Sequence, residues 1–228
     1  MKNKILTAVF ALTVALLILT VSIGLPIYFR PFYYAHIDGL HLPERTGYSY
    51  DTIKAAYDEM LDFCIYPWAE FGTGELPYSE SGASHFADCK GLFILNGVVL
   101  ILSAIALVVL IVLLKKGVFE LVRPFGFDAT FFSGAGLLTV FSVIALLASI
   151  DFSRAFVIFH TLFFPGKDNW LFNPYTDKII LVLPQEFFMN CAILIVSSII
   201  LLSLTFIILG IIGKVKRARA SLNVDSEA

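Results

Sequence analysis

Four runs of mainly apolar residues, each long enough to cross a lipid bilayer, decide what this chain can become. They cover about 5–29, 91–114, 129–150 and 183–213. Hydrocarbon offers no water to an unpaired backbone group, so such a run is satisfied as a helix of roughly 20 residues. With 58% hydrophobic residues, 22 Phe and only 15% charged residues, the chain has little from which to build a solvated surface around them. The expected fold is therefore an integral membrane, mainly α protein. It is one membrane domain over 1–228, with four transmembrane helices and a small extracytoplasmic cap made from the 30–90 and 151–182 loops. The first run exceeds the roughly 7–15 residue core of a secretory signal, and no small-residue cleavage site closes it, so it reads as a retained anchor.

Charge sets the orientation. Lys2 and Lys4, then Lys115, Lys116 and Arg123, then Lys214, Lys216, Arg217 and Arg219 share one side if four helices alternate, and basic flanks mark the cytoplasm. Both termini are thus expected to be cytoplasmic. These cations hold the topology and meet anionic lipid, and nothing in them asks for nucleic acid. The tail from Ala220 is polar and is expected to be irregular. All four His and most of the acidic residues fall in the two outer segments, which are longer than plain turns between bundled helices. Any chemistry is outside.

Along the chain, Tyr28, Phe29, Phe32, Tyr33 and Tyr34 follow the first span at the depth of an interfacial aromatic belt. Ser49 or Asp51 caps a short helix whose apolar residues Ile53, Ala56, Tyr57, Met60, Leu61 and Cys64 keep helical rhythm. Trp68 to Tyr78, rich in Gly and aromatics, reads as a turn with short extended flanks, in the manner of a hairpin.

The polar stretch Tyr78–Cys89 then runs directly into the second span. Ser81 or Ser84 is a candidate N-cap, which puts His85 in the first helical turn, where the helix dipole helps to keep the ring neutral. Asp88, three residues on, is within reach of the ring, and Glu80 lies just ahead of it. An isolated His here is equally well a surface residue. His160 changes the balance, because it lies just outside the third span and thus at about the same depth. Arg154 can pair with Asp151 or hold a lipid phosphate, and Trp170 returns the chain to the membrane surface. Cys64 and Cys89 are both outer and are candidates for a disulfide, from which Cys191 is excluded by its place in the fourth span. His85, His160, Asp88 and Glu80 lack the H-x-x-x-H or C-x-x-C spacing of a metal site, so neither a metal nor another cofactor is expected.

Several ordered motifs point further. Arg30-Pro31-Phe32-Tyr33-Tyr34, Leu42-Pro43-Glu44-Arg45-Thr46-Gly47-Tyr48, Ala56-Tyr57-Asp58-Glu59-Met60-Leu61-Asp62-Phe63-Cys64, Glu70-Phe71-Gly72-Thr73-Gly74, Ser84-His85-Phe86-Ala87-Asp88-Cys89 and His160-Thr161-Leu162-Phe163-Phe164-Pro165-Gly166 span most of the chain. Together they resemble the bacterial lipoprotein intramolecular transacylase family, Lit. The resemblance implies a multi-pass enzyme of the bacterial cell membrane acting on diacylated lipoproteins among membrane lipids. It implies movement of the sn-2 acyl chain of the diacylglyceryl group to the α-amino group of the N-terminal lipidated Cys, giving an N-acyl lyso-lipoprotein. It also implies that His85 and His160 are the functional histidines.

Read against that chemistry, His85 is the base for the amine, whose ammonium form has a pKa near ~8. His160 is the donor to the ester oxyanion, and Asp88, Arg154, Ser84, Glu80 and Trp170 bind or orient the substrate. Amine and ester belong to one substrate, so no enzyme nucleophile is required. Rival readings are a membrane lipid or lipoprotein hydrolase using Ser84, Ser81 or Cys64, although no G-x-S-x-G elbow is present, and a non-catalytic four-span adhesion protein of claudin type. The latter normally carries G-L-W before its first outer Cys, where this chain has Leu61-Asp62-Phe63. A transporter is weakest, since no span has a charged residue near its centre.

Overall fold

A computed structural model describes residues 2–226 of the chain. In order, the helices are α1 (Lys4–Tyr28), α2 (Pro31–Gly39), α3 (Leu42–Thr46), α4 (Tyr50–Ile65), α5 (Glu80–Lys115), α6 (Ala129–Ile150), α7 (Phe152–Phe163), α8 (Ile179–Val182) and α9 (Gln185–Ser226). One two-residue parallel pairing joins Lys2–Asn3 (β1) to Glu120–Leu121 (β2). Helices α1, α5, α6 and α9 are long and apolar enough to cross a membrane, in agreement with the four apolar runs.

Two of these helices exceed their runs. At 1.5 Å per residue α5 is about 54 Å long, against a hydrocarbon core of about 30 Å. Its first residues, from Glu80 to Lys90, carry its acidic groups and one lysine, and they stand ahead of the apolar run that begins at Gly91. At the other end of the chain α9 continues through Ser226, where an irregular tail was expected from Ala220. Arg217-Ala218-Arg219-Ala220 are strong helix formers that extend a helix already nucleated. The last two residues of that tail lie outside the described residues.

The chain forms two compact units, to both of which each long helix contributes residues. The first comprises Met1–Ser22, Val99–Leu146 and Val196–Ala228. Phe10, Val14 and Ile18 of α1 pack with Leu110, Phe119 and Ala129 in its core. The Ser133 hydroxyl donates to the Ala11 carbonyl at 2.7 Å and ties α6 to α1. A side chain at Gly134 would stand 2.6 Å from the Ser203 carbonyl, so α6 and α9 approach as closely as small residues permit. Arg123 and Arg217 both hold Asp128.

The second unit comprises Ile23–Val98 and Leu147–Ile195. Its centre is α4. Ser49 caps this helix by accepting from the Thr52 amide at 3.1 Å, and all six residues of its expected apolar stripe are buried. They pack with Tyr33 and Ile37 of α2, Leu42 of α3, Ile179 and Val182 of α8, and Phe187 of α9. Arg30 clamps the outer side of α4 through Asp58 and Asp62.

Three expectations are corrected here. Tyr33 does not face the membrane: its ring stacks on Tyr57 at 3.7 Å between centroids, and its hydroxyl donates to the Val182 carbonyl at 2.7 Å. Trp68–Tyr78 is not a hairpin. It holds one isolated bridge between Thr73 and Glu75, closed by Thr73 Oγ1 donating to the Leu76 carbonyl, with Gly74 at φ +57°. No disulfide joins Cys64 to Cys89, and all three cysteines are free. The two thiols face other groups, Cys64 the Met60 sulfur and the Phe86 carbonyl, Cys89 the ring of His85.

Because the Val182 carbonyl is buried with the Tyr33 hydroxyl as its donor, Tyr33→Phe is expected to destabilise the protein by about 1–3 kcal/mol. Tyr28→Phe, at a half-exposed ring, should cost less. Thermal unfolding of both variants in one detergent checks the order.

Candidate active site

The N-terminal end of α5 is set by a polar clamp within the second unit. Ser79 Oγ accepts from the Gly82 amide at 3.0 Å and so caps the helix, while Ser79 N and Oγ both donate to Asp177 Oδ1 at 2.8 Å. The cap is therefore Ser79 rather than Ser81 or Ser84, and His85 sits in the second turn, beyond the strongest reach of the dipole. Gly82 is where the clamp needs a glycine, because a Cβ there would strike the Asp177 carboxylate and approach Phe172 to 3.0 Å.

His85 and His160, far apart in sequence, come together. Their ring centroids are 5.7 Å apart at 32°, His85 is 5% exposed and His160 7%. Around them stand aromatic rings: Phe164 and Phe172 at 5.0 and 5.5 Å from His85, Phe156 and Trp170 at 4.2 and 4.7 Å from His160. His160 lies in the last turns of α7, whose amphipathic sequence leaves Val157, Ile158, Phe159, Leu162 and Phe163 exposed. The chain then turns at Gly166, φ +74°, and brings Lys167–Phe172 back over His85.

The nitrogens of the two rings differ. His160 Nδ1 lies 2.8 Å from the Phe156 carbonyl; a carbonyl only accepts, so Nδ1 carries the hydrogen and Nε2 of the neutral ring is an acceptor. His85 Nε2 lies 3.4 Å from the Cys89 sulfur, and His85 Nδ1 is buried with no hydrogen-bond partner.

Electrostatics keep both rings neutral. Burial and the neighbouring His160 push His85 down to about 4, well below its ordinary 6.5, and burial lowers His160 as well. Asp88 does not orient the His85 ring. Its carboxylate takes Lys167 Nζ and, at 3.0 Å, Asn169 Nδ2. Burial acts to raise the Asp88 carboxyl, and Lys167 and Asn169 more than reverse this, leaving it below the usual carboxylate range. Burial pushes the Cys89 thiol up to about 12 and raises Cys64 as well, so both remain protonated.

Of the remaining expected residues, Ser84 is exposed and its hydroxyl accepts from Asn169 Nδ2 at 3.4 Å. Trp170 leaves the expected surface belt for the face of His160, and its Nε1 donates to the Lys167 carbonyl at 3.0 Å. Arg154 and Glu80 are exposed and are not brought to the rings; Asp151 caps α7 by accepting the Arg154 amide at 2.9 Å. Sequence reading missed Cys89 as the neighbour of His85, although their i, i+4 spacing was a usable signal. It also missed Lys167, Asn169, Phe164 and Phe172, which no local pattern marks. Among the described residues no group of three His, Cys, Asp or Glu is placed to hold a metal ion.

The arrangement offers proton acceptors in a buried aromatic box, and the Cys89 thiol beside them is protonated. The family described as lipoprotein intramolecular transacylase Lit matches residues 8–188. No curated protein matches the chain. Among solved structures, an in meso structure of the membrane integral lipoprotein intramolecular transacylase Lit from Bacillus cereus aligns with a TM-score of 0.81 at 28% identity, covering 95% of this chain and 97% of that one. Structures of the same Bacillus cereus protein with an H85R or an H85A mutation align at 0.75 and 0.73, also at 28% identity. Each covers 95% of this chain, and 93% and 94% respectively of its own.

An unfolded imidazole takes its proton near pH 6.5 and the folded His85 only near 4, so between these values the unfolded state binds more protons. This stability is complete above pH 6.5, is lost as pH falls through that window, and falls no further below about 4. Melting temperatures measured from pH 7.5 to 4 should therefore decline, with a shallower slope in His85→Asn.

Proposed function

The chain belongs to the lipoprotein intramolecular transacylase family, and on that premise we propose that His85 and His160 move the protons of its acyl transfer. The protein is a membrane acyltransferase. It carries the sn-2 acyl chain of a diacylglyceryl group to the α-amino group of the N-terminal lipidated Cys, giving an N-acyl lyso-lipoprotein. The observation that carries the residue assignment is the 5.7 Å approach of two buried imidazoles contributed by α5 and α7.

The amine arrives from water as an ammonium ion. The burial that depresses both imidazoles also disfavours the ammonium, so the nucleophile enters neutral. It attacks the sn-2 ester carbonyl of the same molecule, and holding the two groups together supplies an effective concentration that a second molecule cannot reach. As the C–N bond forms, nitrogen becomes acidic and His85 Nδ1 takes its proton. His160 was expected to donate to the oxyanion. Its Nδ1–H is spent on Phe156, so the neutral ring has nothing to donate from Nε2. We assign it the late step: the proton taken by His85 passes on to His160 Nε2, which delivers it to the departing sn-2 oxygen, so that both rings end neutral and no proton is gained or lost overall. No enzyme nucleophile enters, in keeping with two protonated thiols and a serine turned to Asn169.

The same reading sets both termini and the basic clusters in the cytoplasm and the histidine pair on the extracytoplasmic side, supported by the charge bias of the flanks. The exposed apolar face of α7 lies beside His160 and suits contact with acyl chains of substrate and surrounding lipid. Arg154, at the start of that helix, suits an interfacial phosphate more than the reaction itself.

Mass spectrometry of a diacylated lipoprotein incubated with purified protein tests the assignment. Wild type should give the N-acyl lyso isomer with no change in mass, and His85→Ala and His160→Ala should each slow it by at least about 10²-fold. Release of free fatty acid would replace the transacylase by a hydrolase, and wild-type rates in either variant would remove that histidine from the mechanism.

A further inference from the structure

Two buried polar atoms at the site have no partner, His85 Nδ1 and Asn169 Oδ1. Leaving such atoms unsatisfied is costly, so two of them on side chains of one site call for a ligand that satisfies both. The amide of Asn169 has no freedom to turn. Its Nδ2 is spent on Asp88 Oδ2 at 3.0 Å and Ser84 Oγ at 3.4 Å, and Asp88 is itself held by Lys167. The carbonyl oxygen is thereby left as an acceptor. In the tautomer whose Nε2–H donates to Cys89 Sγ at 3.4 Å, His85 Nδ1 is an acceptor too, and Asn169 lies against the same turn of α5 through its bonds to Ser84 and Asp88, which flank His85.

Resting on the acyl-transfer reading, we propose that Asn169 Oδ1 and His85 Nδ1 form a two-acceptor seat for the substrate's primary α-amine, and that Asn169 is the residue selecting it. The stoichiometry matches. A neutral primary amine has two N–H bonds. When the C–N bond forms and the C–O bond to the sn-2 oxygen breaks, one N–H proton passes to His85 Nδ1 and the departing oxygen takes up one proton. The second N–H stays as the amide hydrogen of the product. Asn169 Oδ1 accepts this persistent N–H from amine through to amide, which fixes the nitrogen while its lone pair turns to the ester. A secondary amine cannot fill the seat: its single hydrogen must go to His85, leaving Asn169 Oδ1 against an N-alkyl group, and buried acceptors discriminate strongly against a missing donor.

The test uses the full-length protein and a synthetic diacylglyceryl-Cys lipopeptide, either with a free α-amine or with an N-methyl α-amine, and reads kcat/KM for the mass-neutral isomerisation. Wild type should favour the primary amine by at least about tenfold. Asn169→Leu should slow the primary amine and bring the preference within about threefold, because an apolar side chain tolerates the methyl group. Asn169→Asp, which keeps an acceptor oxygen, should retain the preference. Lys167→Ala, which removes the partner of Asp88 Oδ1 and leaves the Asn169 Nδ2 bonds to Asp88 Oδ2 and Ser84 Oγ in place, should lower the rate and leave the preference standing. If Asn169→Leu does not fold, Asn169→Ala is read in the same way. A wild type without preference, an unchanged ratio in the Asn169→Leu or Ala variant, or an equal collapse in Lys167→Ala overturns the seat alone. A wild type that does not isomerise the primary amine overturns the acyl-transfer reading with it.

Discussion

The site depends on keeping one carboxylate away from one imidazole. Asp88 stands three residues after His85 on the same helix, where an acidic side chain ordinarily reaches its neighbour and stabilises the charged ring. A His85 held as imidazolium cannot accept a proton. Here Lys167 and Asn169, both from the loop after α7, take both carboxylate oxygens, and the ring is left among Phe164, Phe172 and His160 with only weaker influences to favour its charge. Burial then wins over the remaining field of Asp88, and the ring stays neutral at physiological pH.

That diversion requires the 164–172 loop to be held over α5, and the second unit is arranged to do so. Asp177, just beyond the loop, pins Ser79 at the start of α5, and Gly82 supplies the close approach. Two residues further on, α8 sits in the core: Ile179 and Val182 pack on the stripe of α4, and the Val182 carbonyl receives the Tyr33 hydroxyl. A substitution in α4 or α2 can therefore act on the imidazoles without approaching them, through α8 and Asp177.

How much of this the sequence discloses follows from the range of each interaction. The four spans and the buried face of α4 are written in periodicities over ten or more residues, which depend on solvent alone and survive any tertiary arrangement. Ser49 is legible because its cap is local. The pairing of His85 with His160 was reached through depth: both follow or precede a span end, and the bilayer acts as a common ruler. The cap at Ser79 was missed because serines at 79, 81 and 84 are equivalent locally, and Asp177, ninety-eight positions away, selects one of them. Tyr33 was assigned to the membrane surface because an aromatic run beside a span looks alike whether it meets lipid or the core, and only the contact with Tyr57 distinguishes the two. Neither Asn169 nor Lys167 lies in any pattern, since their roles exist only once the loop has folded back.

Neutral imidazoles also fit the demands of moving an acyl group from oxygen to nitrogen. Starting from the neutral amine, substrate and product carry the same charge, so a site that held a permanent cation or anion would stabilise one transient at the expense of the next. In the proposed mechanism a buried box that charges only during transfer avoids this, because the proton taken from the amine is released within the same cycle to the sn-2 oxygen. The cost is that every charged intermediate is poorly solvated, and that cost is lowest when proton movement keeps pace with bond making. Two imidazoles with centroids 5.7 Å apart, both held neutral and one with its tautomer fixed by the Phe156 carbonyl, suit that requirement.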